Sequence, residues 1–202
     1  MSNGLSGPAP DERPTPQGRR TPEGVRIDPE AEAQPEIRRT TLSALVKHEP
    51  GVLAEVSTLF SRRQFNIESL TVGPTTDPDR ARITMVVEEP EPGVEQAKKQ
   101  LAKLLPVVSV TELGEDSIER ELALIKVDGE RPDEVHAVAE VCDARTVDVG
   151  PRALTVEVTG TEPEVDRAIE AFERFGVREV VRTGTAALAR GTNETANTTG
   201  EP

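Results

Sequence analysis

One order of secondary-structure segments occurs twice in this chain, and this repetition limits its possible folds more than any other feature. From Thr40 to Thr111 the segments run β-α-β-β-α-β, and the same order returns between Leu122 and Val181. The strand segments are rich in β-branched residues, whereas the helix segments carry one apolar face. A unit with this order folds as the ferredoxin-like, or split βαβ, arrangement. The sequence therefore predicts an α+β protein made of two tandem ferredoxin-like βαββαβ domains.

The domain boundaries follow from changes in composition. Residues 1–37 hold 7 of the 17 prolines and show no apolar periodicity, which predicts a disordered, acidic, proline-rich tail. The first domain is predicted to span residues 38–114 and the second residues 119–190, with a polar linker between them. Residues 191–202 are rich in Thr, Asn and Gly, and they are predicted to form a second disordered tail.

The helices of the first domain are predicted from the spacing of apolar residues. The first helix begins after Gly51 and ends near Gln64. Its apolar face consists of Val52, Leu53, Val56, Leu59 and Phe60. The second helix is expected to end at Pro106. Its inward-facing residues are predicted to be Val94, Ala97, Leu101, Leu104 and Leu105.

Composition excludes several classes of protein. A single cysteine precludes an internal disulfide framework, and with only two histidines it argues against a structural zinc site. No apolar run reaches the roughly 20 residues that span a bilayer, so we expect a cytoplasmic protein without a membrane partner. The formal charge of −13 lies mostly on residues 38–190, which hold 28 acidic and 20 basic residues. Such a charge repels phosphates, so no nucleic acid partner is expected.

The sequence shows no catalytic machinery. Phosphate-binding glycine loops, His-Glu-x-x-His and Gly-x-Ser-x-Gly motifs are all missing. Cys142 falls on the apolar face of its predicted helix, which favours a structural thiol over a nucleophile. His136 is predicted to face solvent in a charged segment. We therefore expect no catalytic residue, no metal site and no cofactor in this chain.

One turn, Lys47 to Gly51, suits a small ligand. It ends in Pro-Gly directly before the first helix. The first backbone N–H groups of such a helix are free, and the positive end of the helix dipole lies behind them. This corner suits a carboxylate or a phosphate. A plain helix-entry glycine is the alternative interpretation of Gly51, and the residues alone leave both open.

Asn66 lies between the same helix and the second strand. We expect the first loop and the start of the second strand at one end of the sheet, so that Gly51 would hold the carboxylate of a ligand and the Asn66 carboxamide its amino group. The alternative is that Asn66 ends the helix in the left-handed conformation. Edge strands can also pair between protomers, which would place the corner at a subunit boundary.

The residues around this corner resemble those of a known family. The segments are His48–Leu53 (HEPGVL) and Phe65–Leu70 (FNIESL). Together they are similar to the ACT domain opening of the regulatory small subunit of acetolactate synthase, also called acetohydroxyacid synthase. The resemblance continues through Arg82-Ile83-Thr84, Ile118–Val127 and Val180–Gly191. It implies that residues 38–114 form an ACT regulatory domain and residues 119–190 the C-terminal small-subunit domain.

The resemblance also implies a function. The chain would be a noncatalytic partner that activates a thiamine-diphosphate-dependent catalytic large subunit and confers feedback inhibition by valine or another branched-chain amino acid. The effector would lie between the ACT domains of a homodimer. Thiamine diphosphate, Mg²⁺ and FAD would belong to the catalytic subunit. The implied effector-binding residues are His48, Pro50, Gly51, Val52, Leu53, Asn66 and Ile67.

His48 departs from the family pattern, which commonly has Asn three residues before the glycine. An imidazole can donate to a carboxylate or accept from an ammonium group, which predicts pH-dependent binding near neutrality. The substitution can equally indicate weaker binding or a different effector. The alternative function is a free-standing ACT-domain amino-acid sensor that acts on another partner, although no helix-turn-helix or basic patch supports it.

Overall fold

The first repeat folds into a four-stranded sheet with two helices, as seen in the computed structural model, which describes residues 37–114, 116–191 and 195. Its elements are β1 (Ile37–Lys47), α1 (Val52–Arg63), β2 (Ile67–Pro74), β3 (Arg80–Pro90), α2 (Glu91–Leu101) and β4 (Val107–Leu113). The strand order is β2-β3-β1-β4, and all neighbours are antiparallel. The strand β2 is therefore at one edge of this sheet.

The second repeat has the same order of elements. They are β5 (Ile118–Asp128), α3 (Pro132–Val141), β6 (Arg145–Val149), β7 (Ala153–Gly160), α4 (Glu162–Glu173) and β8 (Val177–Arg182). The strand order is β6-β7-β5-β8. The predicted α+β fold of two ferredoxin-like βαββαβ units is thus confirmed. The structure adds a short strand, β9 (Ala186–Leu188), which pairs with the first three residues of β5.

The sequence predicts disorder at both ends of the chain. Almost all of these residues lie outside the part of the chain that the structure describes. Ile37 already belongs to β1. Thr195 is buried, and its hydroxyl accepts a hydrogen bond from the backbone of Ala189 at 2.8 Å. Among the described residues, no helix is long and apolar enough to cross a membrane.

The core of the first repeat lies between its helices and one face of the sheet. Alternate residues of β1 and β3 meet the apolar face of α1, including Val56 and Phe60, and that of α2. The ring of Phe60 also meets Phe65 edge-on, with centroids 5.7 Å apart. Leu105, predicted to point inward, is 90% exposed. The helix ends at Leu101, so the helical spacing that would have turned Leu105 inward no longer applies.

The opposite face of the first sheet is polar, yet it is also buried. Its residues include Thr41, Ser43 and Thr84, which are all at most 4% exposed. The cover comes from the second repeat. The Thr41 hydroxyl donates to Glu119 at 2.5 Å, while Arg39 pairs with both Glu119 and Glu162. The Thr41 hydroxyl therefore binds the second repeat instead of solvent, whereas the Ser43 hydroxyl accepts a hydrogen bond from Arg82 of the same sheet.

The segment that leads into β9 packs against β2. The backbone N–H of Thr185 donates to the Ser69 hydroxyl at 2.7 Å, and the Thr71 hydroxyl donates to the Thr183 carbonyl at 3.3 Å. Gly184 between them has a φ of +80°, and a Cβ on it would lie 2.8 Å from Ser69 Oγ. Only glycine meets both conditions without strain. The edge strand β2 is thereby tied to the second repeat.

Candidate functional site

The turn between β1 and α1 is held by its neighbours on both sides. The backbone N–H of Lys47 donates to the Pro106 carbonyl at 2.9 Å. The backbone N–H of His48 donates to the Asp79 carbonyl, also at 2.9 Å. The turn is therefore fixed by the loop before β4 and by the hairpin between β2 and β3, while Pro50 and Gly51 remain exposed.

Gly51 occupies the N-cap position of α1 in a left-handed conformation, with φ 93° and ψ −18°. Its carbonyl accepts the first intrahelical hydrogen bond, from Glu55 at 3.0 Å. No side chain in the described part of the chain caps the helix, so the N–H groups of its first turn are open to a ligand. A Cβ on Gly51 would meet no described atom within 4 Å, which leaves the space above the helix start clear. The geometry suits a carboxylate.

His48 presents one ring nitrogen to the neighbouring hairpin. Its Nδ1 lies 3.3 Å from the Pro78 carbonyl oxygen. Because a carbonyl only accepts, this contact requires a hydrogen on Nδ1. Nε2 is then the ring nitrogen left for a ligand. In the neutral ring it accepts a hydrogen bond, and in the charged ring it donates one.

Asn66 lies in an exposed and acidic environment. Its carboxamide donates to the Glu68 side chain, and its backbone N–H lies 3.4 Å from an oxygen of Glu89. The left-handed residue at the end of α1 is Gln64, with φ 59°, so the interpretation of Asn66 as a left-handed helix end is wrong. Two carboxylates and an amide oxygen favour an ammonium group. Sequence reasoning missed Glu68 and Glu89, although Glu68 stands within the FNIESL segment.

Gly51 and Asn66 lie at opposite ends of the sheet. The strand β2 starts opposite Val87, which itself pairs with Thr40 near the start of β1. Gly51 follows Lys47 at the other end of β1. The stretch of β1 between Thr40 and Lys47 is about 23 Å long at a rise of roughly 3.3 Å per residue. The expectation that one chain brings Gly51 and Asn66 together is therefore wrong. In a βαβ unit the two parallel strands start at the same end of the sheet, whereas the helix between them starts at the opposite end.

The other predicted site residues differ in their accessibility. Val52 is only 6% exposed and belongs to the core, so its contribution to a site is its backbone N–H. Leu53 is 43% exposed beside the helix start and offers an apolar contact. Ile67 is partly buried and packs on the core at the Asn66 end.

Comparison with known proteins first establishes the class. Residues 42–109 match a family model described as the AHAS small subunit-like ACT domain. Residues 120–191 match a second model, described as the small subunit of acetolactate synthase. The protein is thus an ACT-domain protein with a second domain that is specific to one group of such proteins.

Whole-chain similarities identify that group. The chain is 46% identical to a probable acetolactate synthase small subunit of Archaeoglobus fulgidus, covering 75% of this chain and 96% of that one. It is 42% identical to the acetolactate synthase small subunit of Haemophilus influenzae, covering 76% and 96%. The crystal structure of the small subunit from Thermotoga maritima matches with a TM-score of 0.73 at 37% identity, covering 78% of this chain and all of that one. The chain belongs to the acetolactate synthase small subunit family.

Proposed function

We propose that this chain is the noncatalytic regulatory subunit of an acetolactate synthase. It binds the catalytic large subunit, raises its activity and makes it sensitive to inhibition by valine or another branched-chain amino acid. Thiamine diphosphate, Mg²⁺ and FAD are assigned to the catalytic subunit. Family membership supports the partnership with a large subunit. The chemistry of the two halves of the candidate site supports the effector.

The observation that carries the effector proposal is the separation of two complementary half-sites. The Gly51 end offers free N–H groups for a carboxylate, whereas the Asn66 end offers Glu68 and Glu89 for an ammonium group. An α-amino acid carries both groups within a few ångströms. One chain holds them about 23 Å apart, so an amino acid binds both only when a second chain closes the distance.

The edge strand β2 offers the way to do so. Among the described residues, β2 pairs only with β3, so no strand occupies its other edge. Two copies of β2 related by a two-fold axis pair antiparallel, so the start of one strand meets the end of the other. Asn66 of one protomer then lies at the Gly51 end of its partner. The homodimer thereby contains two complete effector sites.

The test measures feedback in the reconstituted holoenzyme. Asp and Asn tolerate a positive φ better than other non-glycine residues, so both can replace Gly51. Gly51→Asp and Gly51→Asn place side chains of similar size at the helix start, one charged and one neutral. Both variants are expected to activate the catalytic subunit. Gly51→Asp should abolish inhibition by valine, because its carboxylate repels that of the effector, whereas Gly51→Asn should retain part of it.

Two results would contradict the proposal. Full valine sensitivity in Gly51→Asp would place the effector elsewhere. Failure of the wild-type chain to copurify with, or to activate, a thiamine-diphosphate-dependent catalytic subunit would favour an amino-acid sensor with another partner.

A further inference from the structure

A cleft lies between the two repeats, on the face of the first sheet that is opposite to the helices. Its volume is about 670 Å³, within the range of roughly 300–1,000 Å³ that is typical of small-molecule sites. One wall is formed by β2, β3 and their hairpin, and the other by the ribbon of β5 and β9. The lining residues include Gly73, Arg82, Ile118, Arg120, Ala186 and Leu188. It is separate from the Gly51 turn.

Arg82 is the main polar group on the sheet side of this cleft. It lies opposite Gly73 in the pairing of β2 with β3, so no side chain of that neighbour covers it. One guanidinium nitrogen donates to the Ser43 hydroxyl at 2.8 Å. No carboxylate among the described residues forms an ion pair with Arg82, and burial lowers the pKa of its guanidinium. This partly desolvated cation therefore gains from a bound anion.

The charges around the cleft restrict the anion. Among the described residues, the charged side chains that line it are Arg82 and Arg120, both basic, and no Asp or Glu lines it. The chain as a whole has 37 acidic and 24 basic residues. The cleft therefore attracts a carboxylate but offers no counterion to an ammonium group. The charge of the cleft is thus opposite to that of the Asn66 end, where two carboxylates lie.

The opposite wall of the cleft is apolar apart from Arg120. Ile118 and Leu188 are paired across the β5–β9 ribbon, and they are 41% and 58% exposed. Ala186 and Ala187 complete this wall. Exposed aliphatic side chains beside an uncompensated arginine match a small molecule with an anionic head and an apolar body.

We propose that this cleft binds a small aliphatic monocarboxylate that lacks an amino group. The carboxylate pairs with the Arg82 guanidinium, and the aliphatic body packs against Ile118 and Leu188. The site is independent of the effector site at Gly51 and Asn66. It selects against free amino acids because their ammonium group would be desolvated without a counterion.

The test uses 4-methylpentanoate, which has the carbon skeleton of leucine without the amino group. Calorimetric titration of the full purified chain should show saturable binding of this probe. Arg82→Gln should weaken it about tenfold or more, because a charge-assisted pair is lost. Arg152→Gln, the same change in an exposed turn of the second repeat, should leave binding unchanged.

Gly73 supplies a second test that keeps the arginine. A Cβ at Gly73 would meet no atom of the described residues within 4 Å, and its φ lies outside the left-handed region, so a side chain fits without strain. Gly73→Ala should weaken binding slightly and Gly73→Val strongly, since valine suits a strand and fills the cleft. Binding should persist in Gly51→Asp, which separates this site from the effector site.

Three outcomes would overturn the proposal. The first is the lack of saturable binding of 4-methylpentanoate to the wild-type chain. The second is unchanged binding in both Arg82→Gln and Gly73→Val, with folding verified by circular dichroism. The third is loss of binding in Gly51→Asp, which would assign the carboxylate to the helix start. If Arg82→Gln does not fold, the Gly73 series decides alone.

Discussion

The proposed sharing of the effector site between two protomers gives a quantitative prediction for a mixed dimer. Gly51→Asp removes one half-site and Asn66→Ala the other. In a heterodimer of these two variants, one site combines both defects, whereas the second combines the intact Gly51 of one protomer with the intact Asn66 of its partner. Valine should bind at one site per heterodimer, compared with two in the wild-type homodimer and none in either variant homodimer. A site contained within one chain would leave no intact copy in the heterodimer.

The size of each defect can be estimated from the site. An aspartate at Gly51 places a second carboxylate about 4 Å from that of the effector, which costs about 4 kcal/mol at an effective dielectric constant of about 20, or roughly a thousandfold in affinity. Removal of the Asn66 carboxamide loses a hydrogen bond to a charged group, which costs about 1.5–3 kcal/mol, or roughly ten- to a hundredfold. Either loss of affinity is large enough to prevent valine from occupying the affected site at moderate valine concentrations.

The assay needs heterodimers free of homodimers. Coexpression of the two variants with different affinity tags, followed by purification on both tags in turn, isolates them. Isothermal titration with valine then gives the number of sites. Binding at no site would show that the two residues do not act across the dimer, and failure to recover any doubly tagged species would refute the dimer itself. Wild-type chains carrying the same two tags serve as the control and should bind at two sites.

Two further predictions concern stability, one at the contact between the repeats and one at an ion pair of the second repeat. Gly184→Ala should lower the free energy of unfolding by about 2–4 kcal/mol in urea titrations, because a positive φ is combined with a Cβ too close to Ser69; a loss below about 0.5 kcal/mol would show that the contact yields easily. Arg182→Gln should lower the free energy of unfolding by about 3 kcal/mol, because Glu121, only 5% exposed, loses the guanidinium that lies 3.0 Å from its carboxylate. The control is Asp166→Asn, which removes an exposed partner of the same arginine and should lower it by less than about 1 kcal/mol.

The sequence predicts local structure well where apolar periodicity and turn residues agree. Both repeats, and the glycine that starts α1, follow from such patterns. The end of α2 does not, because Leu104 and Leu105 continue the apolar spacing after the helix has ended at Leu101. The sequence contains no local signal for this stop other than Pro106, which lies five residues further on.

Long-range features escape sequence reasoning for a different reason. The strand β9 is only three residues long, and it forms because the start of β5 provides its partner and because Thr185, directly before it, binds Ser69 of the first sheet. The distance between Gly51 and Asn66 depends on the strand register, which no single segment encodes. For the same reason, the sequence indicates only that Arg82 is an ordinary strand residue. Its position beside Gly73 and the ribbon of β5 and β9 becomes known only from the structure.

The strand β2 links both proposed sites to the second repeat. Asn66 directly precedes it, Ser69 and Thr71 bind the segment before β9, and Gly73 lines the cleft. A ligand at the dimer boundary and a carboxylate in the cleft therefore act on one strand from its two ends. If each ligand favours a different position of that strand, linkage requires that each changes the affinity of the other by the same factor. The polar contacts that Ser69 and Thr71 make with the second repeat would then carry an effector signal from the edge of the first sheet into the second domain.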